Sequence, residues 1–212
     1  MLQPYFCGAV FVCFFHWLCA TKNSGNEEFY ALDISSPEGV ISELGATEIG
    51  DEVKALDVSS GYAYLGTKKN DKELSVVRLS DYTEVNTLDL SGNSDMTAIS
   101  ISDNVAYMTR KQSADKEFYA IDISSPEGAL NILGSADTDD DANDVSIGTN
   151  GNAYVASKDN AKELYVFDTS TYSEIGSLNL AGNDDAEAVY FLGAYVYVGG
   201  KTNASEISIA QS

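Results

Sequence analysis

A near-identical stretch occurs twice in this chain and constrains its fold more than any other feature. FYALDISSPEG, Phe29–Gly39, returns 89 residues later as FYAIDISSPEG, Phe118–Gly128, and a related segment follows each copy: ELSVVRLSDYTEV, then ELYVFDTSTYSEI. The residue after the Glu shared by all four segments recurs at steps of 45, 44 and 46, at Phe29, Leu74, Phe118 and Leu164. The spacing predicts a repeat protein whose unit of about 45 residues alternates between two forms.

Each unit is predicted to contain four short strands. In the third unit, runs rich in β-branched and aromatic residues cover 141–147, 152–157, 162–169 and 173–180. The turn-forming stretches GTNG, KDNA, STY and AGND follow them in order, and no stretch keeps the helical period over the ten or so residues that a helix needs. Four antiparallel strands in every unit are typical of a β-propeller blade, so we predict an all-β, propeller-like fold of about four blades. A two-sheet sandwich is the alternative, although a sandwich does not require strict repetition.

The predicted third strand of each unit carries a common motif, seen in Phe29–Asp33, Phe118–Asp122 and Leu164–Asp168. This motif resembles the LVIVD repeat of bacterial surface and secreted proteins, and the resemblance extends from about Glu27 to the end of the chain. Leu74–Arg78 departs from it, because Arg replaces the final Asp. The resemblance implies a propeller-like fold and an extracytoplasmic location. We expect the motif Asp to cap the turn that follows by accepting hydrogen bonds from backbone N–H groups.

Counting the strands leaves two arrangements open. With the strands of a blade lettered a to d from the inside outward, the repeats hold seventeen strands, one more than four closed blades need. In a closed ring, the N-terminal d strand would complete the last blade and join the chain ends. In an open arc of a larger ring, exposed edge strands would invite pairing with another copy.

The first twenty residues differ sharply from the rest. Tyr5–Ala20 reads YFCGAVFVCFFHWLCA, without Asp, Glu, Lys or Arg. A bilayer-spanning helix needs about 20 apolar residues, so this shorter run favours a secretory signal, with Leu18–Ala20 as the cleavage site. An uncleaved anchor and a lipoprotein signal through Cys19 are the alternatives. The predicted organisation is a signal peptide or short hydrophobic segment over 1–20, a linker over 21–26 and the repeat domain over 27–212.

Charge and composition exclude several classes of function for the repeat domain. The net charge of -21 argues against nucleic acid and anionic membrane partners, since both attract Lys and Arg. The only histidine is His16, which precedes the repeats. Ser/His/Asp triads, histidine bases and His-ligated zinc are therefore excluded from the repeat domain.

The remaining charges are sorted by turn. The predicted b–c turns, TKKNDK, TRKQSADK, SKDNAK and GKTNAS, hold nine of the twelve basic residues, whereas the d–a turns, IGDE, SGNSD, ADTDDD and AGNDD, are acidic. Chain direction places both sets on one face of a propeller, with the acidic turns nearer its axis. We expect this face either to form salt bridges in solvent or to bind a partner.

One stretch of the sequence predicts a calcium site. Asp144 stands where the other first strands carry Ala55, Ala98 and Ala188, and it follows the acidic run ADTDDD. A carboxylate on an inner strand is costly unless it is paired or bound to metal, and alternating aspartates supply the oxygen ligands that calcium prefers. The predicted ligands are Asp137, Asp139, Asp141 and Asp144.

These features together predict a secreted or cell-surface binding module without enzymatic activity. Its partners are expected to be proteins or carbohydrates at the cell surface, with self-association through exposed blade edges as a further expectation. A metal-assisted extracellular hydrolase or lyase that uses the acidic turns is one alternative. A structural spacer in a surface assembly is another.

Overall fold

The computed structural model describes residues 9–13, 16–22, 25–36, 38–180, 185–201 and 207–211. These residues form nineteen strands in five antiparallel sheets and contain no helix. The predicted all-β, propeller-like fold is therefore confirmed, with five sheets instead of about four and with four strands in every described sheet except the last, which has three. No segment in the described part of the chain is a helix capable of crossing a membrane.

The sheets follow one another along the chain. The first contains β1 (Ala9–Cys13), β2 (His16–Ala20), β3 (Phe29–Asp33) and β4 (Ser42–Thr47). The second contains β5 (Val53–Ser59), β6 (Tyr62–Thr67), β7 (Leu74–Arg78) and β8 (Thr83–Leu88). The third contains β9 (Met96–Ser102), β10 (Val105–Arg110), β11 (Phe118–Asp122) and β12 (Asn131–Ala136). The fourth contains β13 (Ala142–Ile147), β14 (Asn152–Ser157), β15 (Leu164–Asp168) and β16 (Glu174–Leu178), and the fifth contains β17 (Ala186–Leu192), β18 (Tyr195–Gly200) and β19 (Ile207–Gln211).

The chain divides into two compact units, residues 1–96 with 125–129, and residues 97–124 with 130–212. In the first unit, alternate apolar residues of the first two sheets face each other and form one core, which includes Leu18, Phe29 and Leu65. In the second unit, aromatic side chains dominate the core, and the rings of Phe118 and Phe167 stack at 4.6 Å between centroids. Each sheet is therefore held by side chains that alternate along its strands.

Contacts between Tyr and Gly join each unit that carries SSPEG to the unit that follows it. In the first unit, the ring of Tyr82 lies over Gly45, where an added Cβ would come within 2.0 Å of a ring atom. In the second unit, Tyr172 covers Gly134 in the same way, at 2.3 Å. The units with SSPEG supply the glycine and the units between them supply the tyrosine. Both tyrosines have a left-handed backbone, each with φ of 58°.

The second SSPEG loop packs on the second sheet within the first unit. Glu127 accepts hydrogen bonds from the Tyr62 hydroxyl at 2.8 Å and from Arg78 Nη1 at 3.0 Å. Asn86 Nδ2 donates to the carbonyl oxygens of Pro126 and Gly128, at 2.9 and 2.6 Å. Arg78, which replaces the motif Asp in this copy, therefore binds the loop of the following repeat.

The three remaining motif aspartates cap turns, as predicted. Oδ1 of Asp33 accepts the Ser35 N–H at 2.8 Å, and Oδ1 of Asp122 accepts the Ser124 N–H at 2.9 Å. Asp168 accepts hydrogen bonds in the same way from two backbone N–H groups of its turn. Hydrogen bonds from Ser124 lower the pKa of Asp122, because they favour the ionised carboxylate.

The N-terminal segment requires a correction to the strand count. The repeats predict seventeen strands, but β1 and β2 raise the number to nineteen, and both lie in the segment predicted to be a signal peptide. Strand β2 pairs with β3, and Leu18 and Ala20 are buried in the core of the first unit. Hydropathy alone does not reveal these strands, because an apolar run carries no alternation to mark a half-buried strand. Removal of the segment as a signal peptide stays a prediction.

Candidate binding surface

Basic residues of the b–c turns pair with nearby carboxylates, and three of them, Lys68, Lys116 and Lys158, pair with the acidic d–a turns. Lys68 Nζ lies 2.6 Å from Glu52 Oε2, and Lys158 Nζ lies 3.0 Å from Asp141 Oδ2. At least seven of the nine basic residues in the b–c turns form ion pairs, and they are Lys68, Lys69, Lys72, Lys116, Lys158, Lys162 and Lys201. Salt bridges therefore use most of the positive charge of these turns, in agreement with the expectation that this face forms salt bridges in solvent.

The ion pair between Lys68 and Glu52 shifts the pKa of both side chains. The hydrogen bond to Glu52 raises the pKa of Lys68. Burial opposes ionisation of Glu52, but the hydrogen bond from Lys68 and the charges of Lys54 and Lys68 outweigh it and lower the pKa of Glu52. Both groups of the pair therefore stay ionised at neutral pH.

Arg110, which the sequence places in the second b–c turn, is the last residue of β10 and points inward instead. It is fully buried, and Nη2 donates to the Tyr119 hydroxyl at 2.8 Å. The guanidinium lies 4.8 Å from the centroid of the Tyr119 ring, a favourable cation–π distance. Arg110 therefore packs within the third sheet and presents no positive charge to a partner.

The predicted calcium ligands each have protein partners. Asp137 accepts the Asp139 N–H at 2.9 Å, and Asp141 accepts the Gln112 N–H at 2.8 Å. Asp139 Oδ2 lies 3.3 Å from the Tyr165 hydroxyl that donates to it. Within the described ranges, no group of three or more His, Cys, Asp or Glu side chains is arranged to hold a metal ion. The structure does not gather the four aspartates around one point, and calcium binding stays a prediction.

Asp144 has a specific structural partner. Its Oδ2 accepts the Val189 N–H at 2.9 Å, so the carboxylate links β13 to β17, the first strand of the next sheet. Burial raises its pKa, although hydrogen bonds from the Val189 and Val145 N–H groups partly oppose that shift. The Asp that breaks the Ala pattern is therefore accommodated by backbone hydrogen bonds.

Four buried glutamates are structural residues that sequence reasoning missed. One precedes each of the strands β3, β7, β11 and β15, namely Glu28, Glu73, Glu117 and Glu163, and each is at most 1% exposed. Glu28 Oε2 accepts the Ile49 and Gly50 N–H groups at 2.9 Å each, and Glu163 Oε2 accepts the Leu180 N–H at 2.7 Å. Each glutamate therefore holds the turn that leads to the next sheet. The regular spacing of these four glutamates in the sequence could have identified them as structural residues.

The last sheet has one face that is apolar and exposed, which we call the terminal face. Its side chains are Tyr190 and Leu192 on β17, Tyr195 and Tyr197 on β18, and Ile207 and Ile209 on β19. Strand register places them together, because Tyr190 pairs with Tyr197 and Leu192 with Tyr195. The opposite face, with Val189 and Val196, packs in the core of the second unit.

The terminal face is exposed to an unusual degree for large apolar side chains. Ile207 is 70% exposed, and Tyr190 and Ile209 are each 62% exposed. Leu192 and Tyr195 are 57% and 48% exposed. The six side chains that define the terminal face are uncharged. The terminal face is therefore a contiguous exposed apolar surface.

The sequence matches no family model and no curated protein. The structure is similar to the β-propeller domain of Cps50 (Swd1) from Myceliophteria thermophila, with a TM-score of 0.71 at 12% identity over 93% of this chain and 67% of that one. It is also similar to a chain of the mitotic checkpoint complex, with a TM-score of 0.75 at 13% identity over 100% of this chain and 63% of that one. BamB from Moraxella catarrhalis gives a TM-score of 0.68 at 13% identity over 95% of this chain and 56% of BamB. The chain thus has a propeller-like fold and spans about 56% to 67% of these structures.

Proposed function

We propose that this protein is a secreted or cell-surface, non-enzymatic module that binds proteins, built from LVIVD-like propeller repeats, and that the terminal face is its binding surface. The observation that carries the proposal is the set of five large apolar side chains, 48% to 70% exposed, on one face of the last sheet. Burying such side chains against a partner removes apolar surface from water, which is the main driving force of protein association. One of the similar propeller structures is part of a protein assembly, the mitotic checkpoint complex.

A protein partner fits the terminal face better than a carbohydrate. Tyr190, Tyr197 and Ile207 line a depression in this face together with Asp144, and its other walls are apolar. Sugars need several directed hydrogen bonds, whereas apolar and aromatic side chains of a protein fit an apolar surface without them. The depression therefore favours a protein surface rich in apolar residues.

The enzymatic alternative requires carboxylates that converge in one pocket. Burial raises the pKa of Glu28, Glu117 and Asp144. Each of them, however, accepts backbone N–H groups and holds a separate turn or strand. These groups serve the fold, and a hydrolase or lyase remains the second candidate only through the acidic turns. The spacer alternative shares the terminal face but predicts no soluble partner.

Peptide selection tests the proposed surface while the partner is still unidentified. Random peptides displayed on phage would be selected on immobilised wild-type protein and then measured against Tyr190→Asp and the control Ile132→Asp. Ile132 is 49% exposed on β12 and lies outside the terminal face. We expect apolar peptides that lose about tenfold or more in affinity for Tyr190→Asp only. Failure to enrich peptides, or equal binding to both variants, would overturn the proposal.

A further inference from the structure

The outer strands of the four-stranded sheets carry a glutamate at one equivalent position, except in the third sheet. These outer strands are β4, β8, β12 and β16, and each lies at an edge of its sheet. Glu43, Glu84 and Glu174 pair with the fourth residue of the neighbouring strand in the first, second and fourth sheets. Ile132 holds this position in the third sheet, where it pairs with Ile121. A large apolar side chain therefore stands where the other sheets have a carboxylate.

The replacement of glutamate by Ile132 changes an ion pair. Glu84 Oε1 lies 2.8 Å from Lys72 Nζ in the second sheet, and the equivalent pair of the fourth sheet measures 3.0 Å. The equivalent lysine of the third sheet, Lys116, lies 3.4 Å from Asp137 instead. Ile132 itself is 49% exposed. The replacement therefore gives up an ion pair and places an apolar side chain in water, and neither change stabilises a solvent-exposed edge.

Strand β12 also lacks the charge that the other outer strands carry. Its sequence is NILGSA, whereas β4, β8 and β16 each contain a glutamate. An edge strand presents backbone N–H and C=O groups that can pair with another strand, and charged side chains are one means by which proteins prevent this. All four sheets have a bulge beside the outer strand, so the bulge does not set β12 apart. Other sheets precede and follow the third along the chain, so the exposure of this edge is independent of the ends of the sequence.

We propose that β12 pairs with β12 of a second copy of this chain, antiparallel about a two-fold axis, so that the two third sheets join into one. A two-fold contact brings the same residues of both copies together, so a glutamate in place of Ile132 would bring like charges into it. A cationic partner would be attracted by that glutamate and a neutral partner would tolerate it, whereas a second copy with a net charge of -21 is repelled by it. The loss of the glutamate therefore favours a second copy as the occupant of this edge.

The length of β12 sets the strength of the dimer. Its six residues give about 20 Å of edge in extended conformation. A contact of this length belongs to the small and transient interfaces, which bury less than about 1,200 Å² in total. We therefore expect a reversible dimer with a Kd on the order of 100 µM.

Charge determines how the dimer responds to salt. Each copy carries a net charge of -21, so two copies repel each other at low ionic strength. The paired strands contribute backbone hydrogen bonds and uncharged side chains, which salt does not weaken. Raising the ionic strength from about 0.1 M to about 1 M shortens the Debye length from about 10 Å to about 3 Å. The dimer should therefore become tighter with salt, whereas a dimer held by ion pairs would become weaker.

Sedimentation equilibrium of the full chain tests the pairing, at about 10 to 500 µM protein and at both ionic strengths. Ile132→Glu restores the residue of the other sheets and should raise the Kd about tenfold or more, because it places two like charges in the contact. Ile132→Gln should raise it less, and the difference between the two variants should shrink at high salt. Ile175→Glu is the matched control, because Ile175 is 56% exposed on β16, and it should leave the Kd within about twofold of wild type. Circular dichroism and thermal unfolding would establish that all variants are folded.

Hydrogen exchange identifies the strand that pairs. Strand pairing places backbone N–H groups of the edge in hydrogen bonds, so it slows their exchange directly. We expect the protection that appears on raising the protein concentration to be confined to peptides covering residues 131–136, and to be lost in Ile132→Glu.

Strand β12 lies outside the terminal face, so the two proposals fail separately. A monomer at every concentration and at both ionic strengths, a dimer that Ile132→Glu leaves unchanged, or added protection centred on another strand would overturn the pairing of β12. If the dimer forms as expected while selected peptides bind wild type and Tyr190→Asp equally, β12 pairs two copies and the terminal face is not the binding surface. If the chain stays monomeric while Tyr190→Asp alone loses the selected peptides, only the pairing of β12 is wrong.

Discussion

Replacing Gly134 by Ala tests the close contact between Tyr172 and Gly134 that joins two successive repeats. An added Cβ would lie 2.3, 2.4 and 2.5 Å from Cδ2, Cγ and Cβ of Tyr172. Because Cβ of Tyr172 is among these atoms, rotation of the ring alone cannot relieve the clash, and the backbone must move. Overpacking of this kind costs about 1 to 3 kcal/mol, and we expect Gly134→Ala to lower the free energy of unfolding by about 2 to 3 kcal/mol.

Gly176 provides the matched control, because it also lies on an outer strand of the second unit. No heavy atom lies within 4 Å of its added Cβ. Gly176→Ala should therefore raise the free energy of unfolding by about 0.4 to 1 kcal/mol, through the entropy of the unfolded chain. Urea unfolding followed by circular dichroism measures both. Equal effects of the two substitutions, or a Gly134→Ala penalty that persists when Tyr172 is also replaced by Gly, would refute the reasoning.

Three further predictions concern carboxylates. Burial raises the pKa of Asp144, so its ionisation lowers the free energy of unfolding as pH rises from the ordinary Asp pKa through the raised one. Over that interval, the free energy of unfolding of Asp144→Asn should increase relative to wild type in urea titrations. A difference between the two that does not change with pH would contradict this. Hydrogen bonds from Ser170 lower the pKa of Asp168. The ionised carboxylate therefore stabilises the fold above the ordinary Asp pKa, and this stabilisation is lost as pH falls through the lowered pKa. Asp168→Asn should have a lower free energy of unfolding than wild type at pH 7, and the difference should disappear in acid. Calcium at about 1 mM should raise the melting temperature of wild type more than that of Asp139→Ala or Asp144→Ala, and equal shifts would mean that calcium only screens the -21 charge.

Local patterns predicted most of the fold. The strands expected over 152–157 and 162–169 correspond to β14 (Asn152–Ser157) and β15 (Leu164–Asp168). Runs of β-branched and aromatic residues between turn signals are local information, and the four-fold repetition of the pattern reinforces it. The caps formed by the motif aspartates were predictable for the same reason, since donor and acceptor lie two residues apart.

Contacts between distant residues were not predictable in this way. Asp144 departs from the Ala found at the same position of the other repeats, but its partner, the Val189 N–H, lies 45 residues away in the next sheet. A single sequence marks such a position as exceptional without naming the partner, so a metal site was an equally consistent interpretation. The terminal face was missed because Tyr190 and Leu192 alternate as core residues do, and only the sheet order and the exposure of these side chains reveal a surface.

Hydrogen exchange measured by mass spectrometry tests the central claim, that the terminal face is the binding surface, most directly. Wild-type protein would be labelled with and without a saturating concentration of a selected apolar peptide, with Tyr190→Asp as the reference for each segment. We predict that the protection added by the peptide is confined to segments covering β17, β18 and β19, and that it is absent in the variant. Protection centred on the ion-paired turns around Lys68 and Lys158, or no added protection at all, would contradict the account.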